Sequence, residues 1–436
     1  MSGAGMSGDG MSGATASARA ALIDAIERDR DDIIALLSRF IAAPSPNPPG
    51  DTAAATAVLT DYLTQNSAPF RIVTANGLPN IVGAFDAPAA GPHLVLNGHI
   101  DVFPVPEDEA WTHPPFSGAV VDGAVWGRGA TDMKAGTLAS VITYVYLNRV
   151  KAELGGRLTL TAVSDEETGG KWGALYLLKE LGNEVRGDAV LNGEPSNTMT
   201  LRFCEKGTLR LTFTIRAPGA HGAYPNKSEN PNRIAGRLMQ RLDALEDLVP
   251  DTPAPLAAAL ADPAVRAAVD AAMGDGTAAI ADKVTVNVGV LRGGGKVNII
   301  PSLCHMEVDI RLPIGIDRAA ILAEIDTILS DFPQVTLTVQ EAASNASSYS
   351  DPGHPLAKLI ARSSAELGRP GVVAVPSLGA TDCKHFRHFG VPSFIYGVPA
   401  GNMGRADERV SVEDVMHVVK THALTAFDYL TGGAEP

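Results

Sequence analysis

The chain has 436 residues, of which 45% are hydrophobic and 19% charged, a balance that provides for a large buried core and excludes disorder over its whole length. Its 35 basic and 49 acidic residues give a formal net charge of −14, which argues against nucleic acid or an anionic membrane as the main partner. No apolar run approaches the length of a membrane-spanning helix. Because its three cysteines are far apart and form neither a disulfide framework nor a zinc knuckle, we expect a cytoplasmic protein.

The N-terminal part contains two segments of different character. Residues 1–17 repeat Met-Ser-Gly three times without an apolar centre, which predicts a disordered tail and not a secretory signal. The following segment, ASARAALIDAIERDRDDIIALLSRFIAAP, carries apolar residues at helical spacing and predicts a helix that Pro44 ends. From residue 80 to residue 205, predicted strands alternate with helices, which is typical of an α/β domain with a mostly parallel sheet.

A second pattern follows residue 205. Its predicted order is β-α-β-β-α-β, the order of a ferredoxin-like α+β domain, interrupted by an Ala/Pro-rich insert at 250–281 that we expect to be helical. Near residue 343 the first pattern returns. We therefore expect a discontinuous α/β domain of residues 18–205 and 343–432, with a mixed, mostly parallel sheet flanked by helices, and an inserted domain of residues 206–342.

Several predicted strands of the α/β part end on side chains that can bind a metal ion. They are His99 and Asp101 in GHID, Asp132 before a helix, Asp165, Glu166 and Glu167 in SDEETGG, and Glu194 in NGEPS. Each alone has a structural explanation, such as helix capping or a solvated turn. Together, at the end of a sheet where ligands bind, they favour a metal site, because crowded carboxylates repel unless a cation lies among them. Mixed imidazole and carboxylate ligands suit Zn, Mn or Co better than Ca or Mg.

Blocks along the chain resemble the M20 metallopeptidase family, which includes acetylornithine deacetylase, succinyl-diaminopimelate desuccinylase, aminoacylase and glutamate carboxypeptidase. The resemblance runs in order from about residue 20 to about residue 430. The blocks are GHIDVFP, WTHPPFSG, DGAVWGRGATDMKAG, SDEETGG, GEPS, APGAHGAYP, KVNIIP, VDIRLP, GATDCKHF and ADERVSVED.

The resemblance implies a set of metal ligands. His99 and Glu194 are similar to ligands of one metal ion, and Glu167 is similar to a ligand of a second ion. Asp132 resembles the carboxylate that bridges the two ions and precedes a cis peptide bond. Asp101 resembles the partner that orients His99 through its other ring nitrogen.

The resemblance also implies catalytic and substrate-binding residues. Glu166 is similar to the general base that takes a proton from the attacking water. His221 resembles a histidine that the partner subunit donates to the oxyanion, which implies a homodimer formed through the inserted lid domain. Asn298 and Arg311 stand where the family contacts a carboxylate of a small-molecule substrate.

The chain departs from the family near its C-terminus. The family's last metal ligand is a histidine shortly before a DE-type pair, here Asp407 and Glu408, and Gly404 stands at its position. Two interpretations stay open: either Asn402 or Glu408 replaces the missing ligand, or the second metal site is weak or empty. Of one or two ions per chain we favour one, Mn or Zn, held by three ligands: His99, Asp132 and Glu194.

Two functions are compatible with these residues. The first is hydrolysis of an N-acyl amino acid or peptide amide by metal-activated water, with Glu166 as the base. The alternative is an aminohydrolase of the 5-nitroanthranilate type, which releases ammonia from an aromatic amine at a mononuclear site and which the glycine at 404 favours. A binding protein without activity is disfavoured, because the base and the three-ligand set are present.

Overall fold

The computed structural model describes residues 13–432 and divides into two units. Unit 1 comprises the chain up to Leu201, residues 353–373 and the chain from His385; unit 2 comprises residues 202–352 and 374–384. The domain boundaries expected at residues 206 and 342 stay predictions. Of the expected N-terminal tail, residues 1–12 lie outside the described residues, and the first helix begins at Gly13. Within residues 13–432, no helix is both long and apolar enough to cross a bilayer.

Unit 1 combines helices with strands in alternation. Its elements are α1 (Gly13–Arg28), α2 (Arg30–Ala42), α3 (Ala53–Gln65), β1 (Phe70–Ala75), β2 (Leu78–Asp86), β3 (Ala89–His99), β4 (Val120–Val121), β5 (Ala124–Trp126), α4 (Ala135–Arg149), β6 (Gly155–Val163), α5 (Ala174–Glu180), α6 (Asn183–Arg186), β7 (Ala189–Asn192), α11 (Pro355–Glu366), β17 (Ser393–Ile395), β18 (Arg409–Ser411) and α13 (Val412–Leu430).

Unit 2, with three elements that cross its boundaries, is built mainly of antiparallel strands. Its elements are β8 (Thr200–Glu205), β9 (Gly207–Arg216), β10 (Ala220–His221), α7 (Pro231–Leu242), α8 (Ala254–Ala261), α9 (Pro263–Met273), β11 (Thr285–Gly293), β12 (Ile299–Ile300), β13 (Leu303–Leu312), α10 (Arg318–Leu329), β14 (Val335–Val339), β15 (Ser348–Tyr349), β16 (Val373–Ser377) and α12 (Cys383–His388).

The first helical segment differs from the sequence prediction. A single helix was expected, whereas Asp29 has φ −92° and ψ 16° and separates α1 from α2. The two helices pack against different partners, α1 against α13 and α2 against α3 and β5. The apolar spacing holds within each half, and the break lets each half bury its own apolar face.

The main sheet of unit 1 has parallel strands at its centre. Its order is β1-β2-β6-β3-β7-β17, in which β6, β3, β7 and β17 are parallel neighbours and β1–β2 and β2–β6 are antiparallel pairs. The expected mixed, mostly parallel sheet is confirmed. In the register, His99 of β3 pairs with Val163 of β6, and Asn97 pairs with Asn192 of β7. The carboxyl ends of three neighbouring strands therefore lie side by side, where ligands bind in sheets of this kind.

Helix α4 forms the centre of the unit 1 core. Every residue from Ala135 to Leu147 is buried, and the helix packs against β3, β6 and α13. Its first turn approaches the end of β7 through two glycines, since a Cβ on Gly136 would lie 1.9 Å from the carbonyl oxygen of Gly193. This backbone contact brings the turn that carries Asp132 close to Glu194.

Unit 2 contains the expected β-α-β-β-α-β arrangement. Its four-stranded sheet has the order β11-β13-β9-β14 with all neighbours antiparallel, which confirms the ferredoxin-like prediction. Alternate residues of β9, such as Leu211 and Phe213, are fully buried in one core with residues of α7 and α10. The insert at 250–281 contains α8 and α9, as its composition predicted.

The buried histidine His422 of α13 is expected to make the stability of unit 1 depend on pH. Its Nε2–H donates to the carbonyl of Tyr396 at 2.7 Å, and its Nδ1 is buried without a hydrogen-bond partner among the described residues. Burial lowers the pKa of His422 to about 4. Below about pH 6.5 the side chain of His422 becomes protonated in the unfolded chain, whereas in the native state it stays neutral down to about pH 4. The stability that is present at neutral pH is therefore lost as pH falls from 6.5 to 4.

At pH 5 this histidine alone is expected to reduce the free energy of unfolding by about 2 kcal/mol relative to pH 7. Urea unfolding at both pH values measures this difference. In the His422→Gln variant, the loss of unfolding free energy between pH 7 and pH 5 is expected to be smaller by about 2 kcal/mol. The exposed His388, changed to Gln, serves as the control. Equal pH dependence in the wild type and the His422→Gln variant would contradict the prediction.

Candidate metal centre

Three side chains of unit 1 converge at the carboxyl end of the sheet. His99 ends β3, Asp132 lies in the tight turn before α4, and Glu194 follows β7. One ligand atom from each of these residues lies within 4.8 Å of the others. His99 Nε2 is 3.1 Å from Asp132 Oδ1 and 3.4 Å from Glu194 Oε1. Of the sequence-predicted ligands, the structure thus brings these three together.

The tautomer of His99 makes this cluster suitable for a cation. Its Nδ1–H donates to the backbone carbonyl of Asp101 at 2.8 Å, so the lone pair of the neutral ring is on Nε2 and faces two carboxylates. Three electron-rich atoms facing one another are repulsive unless a proton or a metal ion lies among them. Burial opposes protonation of His99, but Glu194 and Asp132 outweigh it and hold its pKa well above 6.5. The donor set therefore fits a divalent metal ion.

The raised pKa values of the carboxylates at the site also favour a bound cation. Burial first, and then the charge of Asp132, raises the pKa of Glu194 to about 8 and that of Glu167 to about 11. Glu167 Oε1 is buried and has no hydrogen-bond partner among the described residues. A cation at the cluster would favour the ionised forms of both side chains and provide the missing counter-charge.

Asp101 connects β3, which ends in His99, with the turn that carries Glu166. Its fully buried carboxylate accepts the backbone N–H groups of Glu166 at 3.3 Å and Glu167 at 3.1 Å. The side chain of Asn47 donates to the same carboxylate at 2.9 Å. The ring N–H of His99 goes to the Asp101 carbonyl, whereas the nearer carboxylate oxygen is 3.6 Å away. Asp101 therefore orients both His99 and the turn that carries Glu166.

The turn of Asp132 is held by a buried ion pair. The peptide bond between Asp132 and Met133 is cis, as the family resemblance implies. Glu408 accepts the backbone N–H groups of Thr131 at 2.9 Å and Asp132 at 3.2 Å, and its other oxygen accepts from Arg128 at 2.7 Å. Arg128 and Glu408 are each 1% exposed.

The segment around Gly404 offers no imidazole at the position of the family's last ligand. Gly404 has φ +71°, and a Cβ there would meet only Phe103 Cδ2, at 3.8 Å. The side chain of Asn402 is exposed and donates to the carbonyl of Asp407 at 3.2 Å. Both oxygens of Glu408 accept N–H groups.

The three remaining site predictions belong to unit 2, so they are not members of the cluster in unit 1. His221 and Asn298 are exposed and close in space, because β10 pairs with β12 and the carbonyl of Asn298 accepts the N–H of Gly222 at 2.8 Å. Arg311 is half-buried on β13, where it donates to Thr208 Oγ1 and Asp309 Oδ2.

Two contributors to the site were not identified from the sequence. Asn47 lies among prolines in a segment that we read only as the end of a helix, and no local pattern points to its contact with Asp101. Arg128 directly precedes the Asp132 turn in GRGATD, and its buried pairing with Glu408 joins residues 280 positions apart. Glu408 stands out in the sequence beside Asp407, but there it indicates only an alternative metal ligand and not a partner of Arg128.

The chain is similar to known proteins in sequence and in fold. The sequence profile of the peptidase family M20/M25/M40 matches residues 95–428. A succinyl-diaminopimelate desuccinylase of Cereibacter sphaeroides is 29% identical over 410 residues, which cover 92% of this chain and 99% of that protein. A succinyl-diaminopimelate desuccinylase of Methylorubrum extorquens is 30% identical over 398 residues, covering 88% and 94%.

Solved structures show the same fold at lower sequence identity. An M20 family metallo-carboxypeptidase from Sulfolobus solfataricus superposes with a TM-score of 0.75 at 17% identity, covering 91% of this chain and 99% of that chain. A dipeptidase from Saccharomyces cerevisiae superposes with a TM-score of 0.75 at 16% identity, covering 96% and 99%.

Proposed function

The chain belongs to peptidase family M20/M25/M40, whose members are metal-dependent hydrolases of C–N amide bonds, and we propose that its own substrate is an N-acyl amino acid or a peptide that carries a carboxylate. The observation that carries this proposal is the buried cluster of His99, Asp132 and Glu194 at the end of the sheet. Relatives that align over nearly their whole length are named desuccinylases, and an N-succinyl amino acid is one member of the proposed class.

We propose that the cluster holds one divalent ion, Mn or Zn. The three ligands leave open positions for water and substrate, as in catalytic metal sites. Glu167 is the candidate ligand of a second ion, but Gly404 provides no side chain to complete that position. When bound, a divalent ion lowers the pKa of a coordinated water towards about 7 and polarises a carbonyl oxygen.

The protein's own residues would then move the protons. The carboxylate of Glu166 takes the proton of the attacking water and delivers it to the leaving amine. His221 Nδ1 accepts the backbone N–H of Ala223 at 3.2 Å, so the neutral ring carries its proton on Nε2 and donates there to the oxyanion. Asn298 and the guanidinium of Arg311 are the proposed contacts to the substrate carboxylate.

We further propose that His221 serves the active site of a second copy of the chain. Around it, unit 2 exposes large apolar side chains, with Tyr224 52%, Ile299 51% and Val297 103% exposed. Exposed apolar side chains grouped in this way are typical of an interface. A reducing compartment such as the cytoplasm is proposed from the three cysteines, which are buried and far apart in the sequence.

Complementation between two inactive variants tests the exchange of His221. Glu166→Ala and His221→Ala subunits carrying different tags are co-expressed, and the heterodimer is purified. One of its two sites combines an intact Glu166 with an intact His221 from the other subunit, so about half of the wild-type activity is expected. The His221→Ala homodimer is the control. A heterodimer no more active than its parents, or a monomer by light scattering, would contradict the exchange.

The substrate class is tested by assaying N-acyl amino acids, including N-succinyl-diaminopimelate, and dipeptides for release of the free amine. Activity with at least one of these compounds and no release of ammonia is expected.

The second candidate, an aminohydrolase acting on an aromatic amine, is favoured by Gly404 and by Phe103, which is 41% exposed beside it. Ammonia released from a nitroanthranilate, without hydrolysis of any amide, would favour the second candidate.

A further inference from the structure

We propose that Glu408, together with Arg128, is a positioning pair that fixes Asp132 in the geometry of a metal ligand. The inference rests on the proposed metal site of His99, Asp132 and Glu194. The segment of residues 404–408 then orients a metal ligand and does not itself supply one.

The backbone around Asp132 needs an acceptor at this point. Asp132 has φ −116° and ψ 103°, a non-helical conformation directly before α4. Here the N–H groups of Thr131 and Asp132 have no helical carbonyl to bind, as is usual at the start of a helix. Glu408 Oε1 accepts both N–H groups, and Thr131 Oγ1 donates to the carbonyl of Arg409 at 3.2 Å. The direction of the Asp132 side chain is therefore set by a carboxylate that does not itself face the cluster.

Arg128 in turn orients Glu408. Its Nη1 donates to Glu408 Oε2 at 2.7 Å, and its Nη2 donates to the carbonyl of Gly404 at 3.3 Å. The backbone N–H of Gly127 donates to the Glu408 carbonyl at 2.9 Å. A buried carboxylate is stable in its ionised form only with such partners, and here the guanidinium and two N–H groups supply them.

This network also explains why Glu408 is a poor candidate for a replacement ligand. Its oxygens are oriented towards the guanidinium and the two N–H groups, which hold them by charge-assisted hydrogen bonds. Turning the carboxylate towards a metal ion would take from the buried Arg128 its nearer carboxylate and leave it only the longer contact to Glu109, at 3.6 Å, which is unfavourable. The segment after Gly404 thus contributes to metal binding through the backbone of the Asp132 turn.

The test compares metal affinity in Glu408→Gln, Glu408→Ala and His99→Ala with that of the wild-type protein. Binding of Mn²⁺ to the metal-free protein is measured by calorimetry, and the visible absorption spectrum of the Co²⁺ form reports ligand geometry. We expect Mn²⁺ affinity about 10- to 100-fold weaker in the Glu408 variants, as for other residues that orient metal ligands, together with a changed Co²⁺ spectrum. The matched control is Glu413→Gln, which removes a glutamate whose side chain is 75% exposed.

A purely structural role predicts a different result. It would lower the urea midpoint of unfolding while Mn²⁺ affinity and the Co²⁺ spectrum of the folded variant stay at wild-type values, and that result overturns the inference. Glu408→Gln keeps the volume and one acceptor oxygen, so it provides the comparison if the alanine variant does not fold. If His99→Ala leaves Mn²⁺ affinity unchanged, the proposed metal site itself is wrong. If the Glu408 variants bind Mn²⁺ with wild-type affinity and His99→Ala does not, the proposed metal site is correct and the positioning role of Glu408 is wrong.

Discussion

Removal of divalent metal by a chelator is expected to abolish hydrolysis, and addition of Mn²⁺ or Zn²⁺ is expected to restore it. The proposed base, Glu166, needs a water of lowered pKa, and only a bound cation supplies it at neutral pH. Loss of several kcal/mol of transition-state stabilisation corresponds to a fall in kcat of about 1000-fold or more. The check is the initial rate before dialysis against chelator, after it, and after metal is added back.

The metal content of the active protein tests the same site quantitatively. Elemental analysis of dialysed, active protein is expected to give about one ion per chain, because three proposed ligands surround one position and Gly404 provides no side chain for a second. Full activity in metal-free protein would contradict the prediction, and two ions per chain would restore the interpretation that another residue replaces the missing histidine.

Replacing the proposed general base has the second large expected effect. Glu166→Gln is expected to lower kcat by about 100- to 10,000-fold, the usual contribution of a positioned base, while the metal remains bound. Glu166 is not one of the three proposed metal ligands, and the turn that carries it is held by Asp101, which accepts the backbone N–H of Glu166. The measurements are kcat and metal content for the same preparation.

The matched control for this variant is Glu180→Gln, an exposed glutamate at the end of α5. It changes the charge of the protein equally and is expected to leave kcat unchanged. If Glu166→Gln retains turnover with its metal bound, then another group takes the proton and the proposed mechanism is wrong. If Glu166→Gln loses its metal as well, Glu166 contributes to metal binding, and the lower kcat is then no evidence that it acts as the base.

The strand ends were predictable because local sequence determines them. His99 and Glu194 each follow a run of apolar residues, and parallel neighbours place their carboxyl ends together, so the cluster follows from pattern and topology. The contacts that hold the cluster were not predictable in the same way. Asn47 reaches Asp101 and Arg128 reaches Glu408 through tertiary folding, and each side chain alone resembles an ordinary loop residue.

The elements themselves show the same division between local and tertiary causes. The β-α-β-β-α-β order of unit 2 follows from the alternation of apolar and polar residues in strands and from the helical spacing of apolar residues, and both patterns are visible within short segments. The break at Asp29 does not, because it depends on the different partners of α1 and α2. The antiparallel pairing of β1 and β2, which we did not predict, has a local cause, because Asn76 and Gly77 form a two-residue turn in which both residues have positive φ.

The contact between Gly136 and Gly193 has a consequence for how this site can evolve. The distance between the two proposed carboxylate ligands, Asp132 and Glu194, depends on the absence of two side chains, since even a methyl group on Gly136 would overlap the carbonyl of Gly193. Substitutions at these positions are therefore expected to weaken binding at the proposed metal site, although neither glycine has a ligand atom. Low tolerance of substitution is therefore expected at this backbone crossing, since a side chain added at either glycine would push the turn of Asp132 away from Glu194.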